Sequence, residues 1–213
     1  MAPAARETLV VRWFGASFER LHPLLQALHR DGGRLHGTVA IRSGRGIAGW
    51  IGRRLARSLG IPLDRAERGF EVEIRHLDDA LVWRRRFDDG NEMVSRFEPV
   101  GAWPDGCWIE RTGAVRLDLA VDVVDDGGWR WRTLRARWNG VPLPLALLPR
   151  ARAGKRIVDG RYVFEVAFAL PLFGDLFGYD GVLDAETATP AWTAERARGM
   201  NTGIEPGDHV GAA

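Results

Sequence analysis

The sequence predicts an α+β fold: a long, curved antiparallel β-sheet of about 7–9 strands, a partial barrel, packed on two N-terminal helices. Three observations carry this prediction. Near the N-terminus, apolar residues recur at helical spacing on either side of one strand-like stretch. From Phe70 onward, apolar and polar residues alternate over long runs, as in strands with one wet and one dry face. Asp- and Gly-rich turn signals separate those runs and leave no room for crossover helices.

The elements follow in order. Over residues 13–30, Phe14, Phe18, Leu21, Leu25 and Leu28 form one apolar stripe, and Asp31-Gly32-Gly33 ends it. Pro23 fits a helix interior poorly and marks either a kink or a late start near His22. Residues 35–41 read as a strand. Residues 50–59 read as a second helix, with Ile51, Leu55 and Leu59 on one face and Arg53, Arg54 and Arg57 on others. Strict alternation makes strands of residues 70–74 and 115–123, and residues 129–138 and 161–170 follow them. The turns Asp88-Asp-Gly90-Asn91 and Asp125-Asp-Gly-Gly128 are hairpin signals. Residues 141–149 form an apolar segment broken by three prolines. A single domain over residues 1–183 is expected, with 184–213 a disordered C-terminal tail, because its Ala, Thr, Gly and Pro offer little to bury.

Composition removes several functions. At 213 residues and 46% hydrophobic, the chain can build one ample core. No apolar run approaches the roughly 20 residues of a membrane-spanning helix, so no transmembrane segment is expected. One cysteine, Cys107, suits a reducing cytoplasm, and a cytoplasmic location is expected. Residues 1–69 carry 12 arginines against five acids, a basic stretch with no nucleic-acid recognition motif, so nucleic acid is not expected as a partner. Lys155 is the only lysine in the chain. The five histidines show no HExxH pair and no Cys/His cluster, so neither metal nor cofactor is expected, and no catalytic residue is assigned.

Gly44-x-Gly46-x-x-Gly49 has the spacing of a dinucleotide-binding turn. Its context argues against one. The strand bearing Glu71 and Glu73 alternates, whereas a central parallel strand is apolar on both faces, and no further βαβ unit follows. Two readings remain: a tight strand-to-helix corner, or an anion site made by Gly44, Arg45 and Gly46 at a helix start. Glu98, Glu110, Asp118 and Asp122 lie in or beside strands, where an inward acid would be a general-base candidate. Most are expected on the wet face, paired with arginines between residues 130 and 137.

An ordered set of short motifs resembles a known family. Val82-Trp-Arg-Arg-Arg-Phe87, Glu110-Arg-Thr-Gly113, Trp138-Asn-Gly-Val-Pro-Leu-Pro144, Asp159-Gly-Arg-Tyr-Val-Phe164, Pro171-Leu-Phe-Gly174 and Tyr179-Asp-Gly-Val-Leu183 come in the order seen in the bacterial family called domain of unknown function 4166. The resemblance spans about residues 13–183. It implies no activity and no catalytic residues. It does imply an association with oxidoreductases, since members occur alone or behind a saccharopine-dehydrogenase-like NAD(P)-binding domain.

The leading expectation is a domain that holds an apolar or lipid-like small molecule in a half-barrel cavity. Trp83, Arg86, Phe87, Trp131, Trp138, Leu143, Phe164, Phe168 and Tyr179 are the expected ligand-binding residues, with Arg45 and Arg86 toward an acidic head. The alternatives are an enzyme or accessory domain working with an NAD(P)-dependent oxidoreductase, and a membrane or protein interaction module. An inward Glu98 or Glu110 near His29 or His76 would favour the enzyme; a purely apolar interior would count against it.

Overall fold

The computed structural model describes residues 7–144, 150–171 and 173–188. The first helical stripe is built in three pieces: α1 (Leu9–Phe14), a 3-10 turn (Gly15–Arg20) and α2 (Pro23–Asp31). Pro23 opens α2, where a missing N–H breaks no hydrogen bond, and His22 Nδ1 accepts from the Leu24 N–H at 3.2 Å. The expected stripe is buried throughout. A third helix, α3 (Gly46–Ser58), follows β1 (Gly33–Ser43).

The other strands run in series: β2 (Glu67–His76), β3 (Leu81–Phe87), β4 (Glu92–Val100), β5 (Cys107–Thr112), β6 (Val115–Val123), β7 (Trp129–Trp138), β8 (Val141–Leu143), β9 (Arg150–Val158), β10 (Arg161–Leu170) and β11 (Gly174–Thr187). Their order is β6-β5-β4-β3-β2-β1-β11-β10-β9-β7, and β7 returns to β6. This corrects the predicted α+β partial barrel of about 7–9 strands. The described chain is a closed antiparallel barrel of ten strands, with β8 as one extra strand beside β7 and three short helices at the ends.

Two long-range ladders close it. β1 pairs with β11 from Gly33↔Thr187 to Ser43↔Phe177, and β7 pairs with β9 over Trp129–Trp131. Patterning reports that a strand has a dry face but does not name its partner. β9 itself, Arg-Ala-Arg-Ala-Gly-Lys-Arg-Ile-Val, is poor in the β-branched and aromatic residues that signal a strand. β1 is antiparallel to both neighbours, which is incompatible with a dinucleotide-binding turn after it.

The helices cover the barrel ends. α1 and α2 stopper one: Trp13 Nε1 donates to the Val100 carbonyl at 3.3 Å, and the His22 N–H donates to the Gly127 carbonyl at 2.9 Å. α3 lies against β11 at the other. There a Cβ on Gly44 would run into the Asp175 carbonyl, and one on Gly52 into the Leu176 carbonyl. β11 continues to Thr187, past the expected domain boundary at 183. Residues 189–213 of the expected tail, and 145–149 of the apolar segment, lie outside the described residues.

Candidate functional site

Barrels of about eight strands are filled by their own side chains, and wider ones leave room. This ten-strand barrel encloses a cavity of about 250 Å³. Six expected ligand-binding residues line it: Trp83, Trp131, Leu143, Phe164, Phe168 and Tyr179. Leu55 of α3 and Leu59, which caps the C-terminus of that helix, contribute from one end.

The remaining expectations fall elsewhere. Phe87 is buried in the core, its ring 4.9 Å from that of Phe70 and 6.4 Å from that of Tyr179, but it is not part of the cavity wall. Trp138 is half-buried and pairs in the ladder with Val115 and Val141, also outside the wall. Arg86 is exposed and donates to Glu92 at 3.5 Å. Gly44 and Arg45 border a separate surface groove with Arg42, Arg152 and Phe173. Gly46 begins α3 with φ +58°.

The arginine that faces inward is the neighbour of the one expected. Leu81, Trp83, Arg85 and Phe87 alternate toward the interior, so the signal was present in the period-two pattern. Arg85 donates to Ser95 Oγ at 2.8 Å, and Ser95 Oγ lies 2.8 Å from Glu110 Oε1 and 2.5 Å from Thr112 Oγ1. Thr112 also donates to Glu110 at 3.1 Å. Ser95 is fully buried on β4 between Arg85 on β3 and the Glu110–Thr112 pair on β5. Arg85, Glu110 and Thr112 all line the cavity. The interior is therefore not purely apolar: one wall carries a charge-compensated, hydrogen-bonded patch. Of the other acids, Asp122 pairs as expected, on Arg132 at 3.0 Å, whereas Glu98 accepts from Arg96 at 2.9 Å and Asp118 from Arg116 at 3.3 Å, arginines two residues away on their own strands rather than on β7.

A second polar group was not foreseen. Lys155 on β9 is 6% exposed and lines the cavity. Its Nζ lies 2.9 Å from His29 Nε2 of α2, and over the rings of Trp129 (3.7 Å), Trp83 (4.2 Å) and Trp131 (5.9 Å). Ring faces favour an ammonium by about 0.5–2 kcal/mol each. Removing that ammonium from water costs several kcal/mol, and the like charge of Arg85 adds to the cost. Burial wins and, with Arg85, holds the Lys155 pKa well below its ordinary value. Burial first, then Lys155 and His76, holds the His29 pKa well below its ordinary value too, so its ring is neutral near pH 7. Nothing in sequence spacing could join residues 29 and 155. The only usable signals were a lone lysine among arginines and the inward parity of Ala151, Ala153 and Lys155.

Among the described residues, no group of three or more His, Cys, Asp or Glu side chains is arranged to hold a metal ion, and no helix is long and apolar enough to cross a membrane. A family model described as Domain of unknown function (DUF4166) matches residues 21–183, well over half of the chain. No curated protein matches the sequence.

Proposed function

The chain belongs to the family described as a domain of unknown function, DUF4166, and from that premise, which names no reaction, we propose that the barrel lumen binds a compact apolar small molecule with a neutral polar head. The observation that carries the reading is an apolar cavity of about 250 Å³ with the Arg85–Ser95–Glu110–Thr112 patch on its wall. Typical small-molecule sites occupy about 300–1,000 Å³. This one is smaller, which favours a single-ring or short-chain compound over a two-chain lipid. A neutral head fits because Glu110 offsets Arg85 and burial disfavours the charged form of Lys155, so a carboxylate would meet repulsion as well as attraction.

Calorimetric titration with hydrocinnamyl alcohol and with hydrocinnamate tests this. The alcohol is expected to bind with one-to-one stoichiometry and the carboxylate about tenfold more weakly, a difference of about 1.4 kcal/mol. No heat with the alcohol, together with native mass spectra free of any co-purifying small molecule, would sink the reading.

A second reading rests on α3. Ile47 and Trp50 are 67% and 61% exposed, and Arg45, Arg53, Arg54 and Arg57 are exposed around them. That pairing of apolar and cationic groups suits an anionic lipid surface. Sedimentation with phosphatidylserine vesicles is expected to be lost in high salt and in Trp50→Ala; equal sedimentation with neutral vesicles would reject it.

A further inference from the structure

Every cation of this chain but one is an arginine, and the exception is walled into the lumen. A guanidinium can hold charge and donate hydrogen bonds, but it stays protonated; an amine can lose its proton and act as a nucleophile. Lys155 has the surroundings of such an amine. It lines the cavity, and its Nζ touches a neutral imidazole at 2.9 Å. Its other neighbours are the faces of Trp129 and Trp83. Trp83 lines the same cavity, and its indole Nε1 is buried without a hydrogen-bond partner among the described residues.

We propose that Lys155 captures a carbonyl compound, an apolar aldehyde or ketone held in the lumen, as a Schiff base on Nζ. The inference rests on the lumen-binding reading and adds the chemical class of the head group. In the step, the Nζ lone pair attacks the carbonyl carbon and forms a C–N bond, while the C=O π pair moves onto oxygen. His29 Nε2 takes a proton from the attacking nitrogen and returns it to that oxygen. The nitrogen's second proton passes to the hydroxyl oxygen as the C–O bond breaks and the nitrogen lone pair forms the C=N bond, so one water leaves. No oxidant or reductant is consumed. Burial of the amine, together with the like charge of Arg85, keeps a nucleophilic fraction available near neutral pH.

The test uses the full chain with hydrocinnamaldehyde, followed by borohydride and mass spectrometry of the intact protein and its peptides. A chain with one lysine has only two kinds of amine, Lys155 and the N-terminus, so the position of an adduct is unambiguous. The expected result is one reduced adduct per chain, mapped to Lys155, and its loss in Lys155→Met. An adduct only at the N-terminus, or none while hydrocinnamyl alcohol still binds, overturns the Schiff base and leaves the binding reading standing. Failure of both the aldehyde and the alcohol removes both readings. Peptide mapping of the wild type decides the matter even where Lys155→Met does not fold.

Discussion

At the scale of single residues, the buried bases set how stability follows pH. The His29 pKa is lowered in the folded state, so below about 6.5 the unfolded chain binds a proton that the fold does not. The His29 contribution to stability is therefore full above that value and is lost as pH drops through it, by at most about 1.4 kcal/mol per pH unit. His76, also lowered by burial, adds in the same direction. Urea melts of the wild type are expected to weaken steadily from pH 7 to pH 5, and His29→Asn to flatten that slope; an unchanged slope would mean the ring protonates freely. Lys155 acts in the same sense at higher pH: stability rises with pH between its lowered folded value and about 10.5. Ser95 is the other residue with a separable effect. Replacing it by alanine strips the shared partner from Arg85, Glu110 and Thr112, and should cost about 1–3 kcal/mol in a urea melt.

At the scale of elements, the corner between β1 and α3 explains the glycine fingerprint. Gly44 and Gly52 bring α3 against the backbone of β11, where a Cβ would collide with the Asp175 or Leu176 carbonyl. Gly46 has open space around its missing Cβ but a left-handed backbone at φ +58°. Gly46→Ala should therefore cost about 1–2 kcal/mol for backbone conformation alone. Gly44→Ala and Gly52→Ala must also move backbone, and are expected to lower thermal stability further or prevent folding. Equal melting temperatures for all three variants would contradict this packing. β7 shows how an element escapes a sequence reading. The register shifts between Asp118 and Leu119, so that both Thr133 and Ala136 face the lumen although the two differ in parity. Strict alternation from Trp129 loses the inward face after Thr133.

At the scale of the whole molecule, closure is uneven around the barrel. β1 and β11 share an eleven-residue register, whereas β7 and β9 pair at Trp129–Trp131 before β8 takes over the edge of β7 at Ala136–Trp138. Trp131, Thr133, Ala151, Ala153, Lys155 and Phe164 border both the lumen and an arginine-lined groove outside it, so the same residues separate the two spaces at this seam. Hydrogen exchange should be faster for the amides of residues 129–133 and 151–155 than for those of β1. A bound lumen ligand is expected to slow the seam selectively, and uniform protection would assign entry elsewhere.

Much of this molecule was legible along the chain. The bounds of β6, β7 and β10 match the expected strands residue for residue, the apolar stripe of the first helices is buried, and the aromatic side chains of Trp83, Trp131, Phe164, Phe168 and Tyr179 do line the cavity. These properties depend on neighbours two to four residues away, which sequence periodicity records directly. Closure of the barrel and the meeting of His29 with Lys155 were decided only in three dimensions. They depend on which strand pairs with which, and in what register, across separations of more than a hundred residues. Local patterning carries no term for that pairing, because every alternating strand offers the same ladder of N–H and C=O groups.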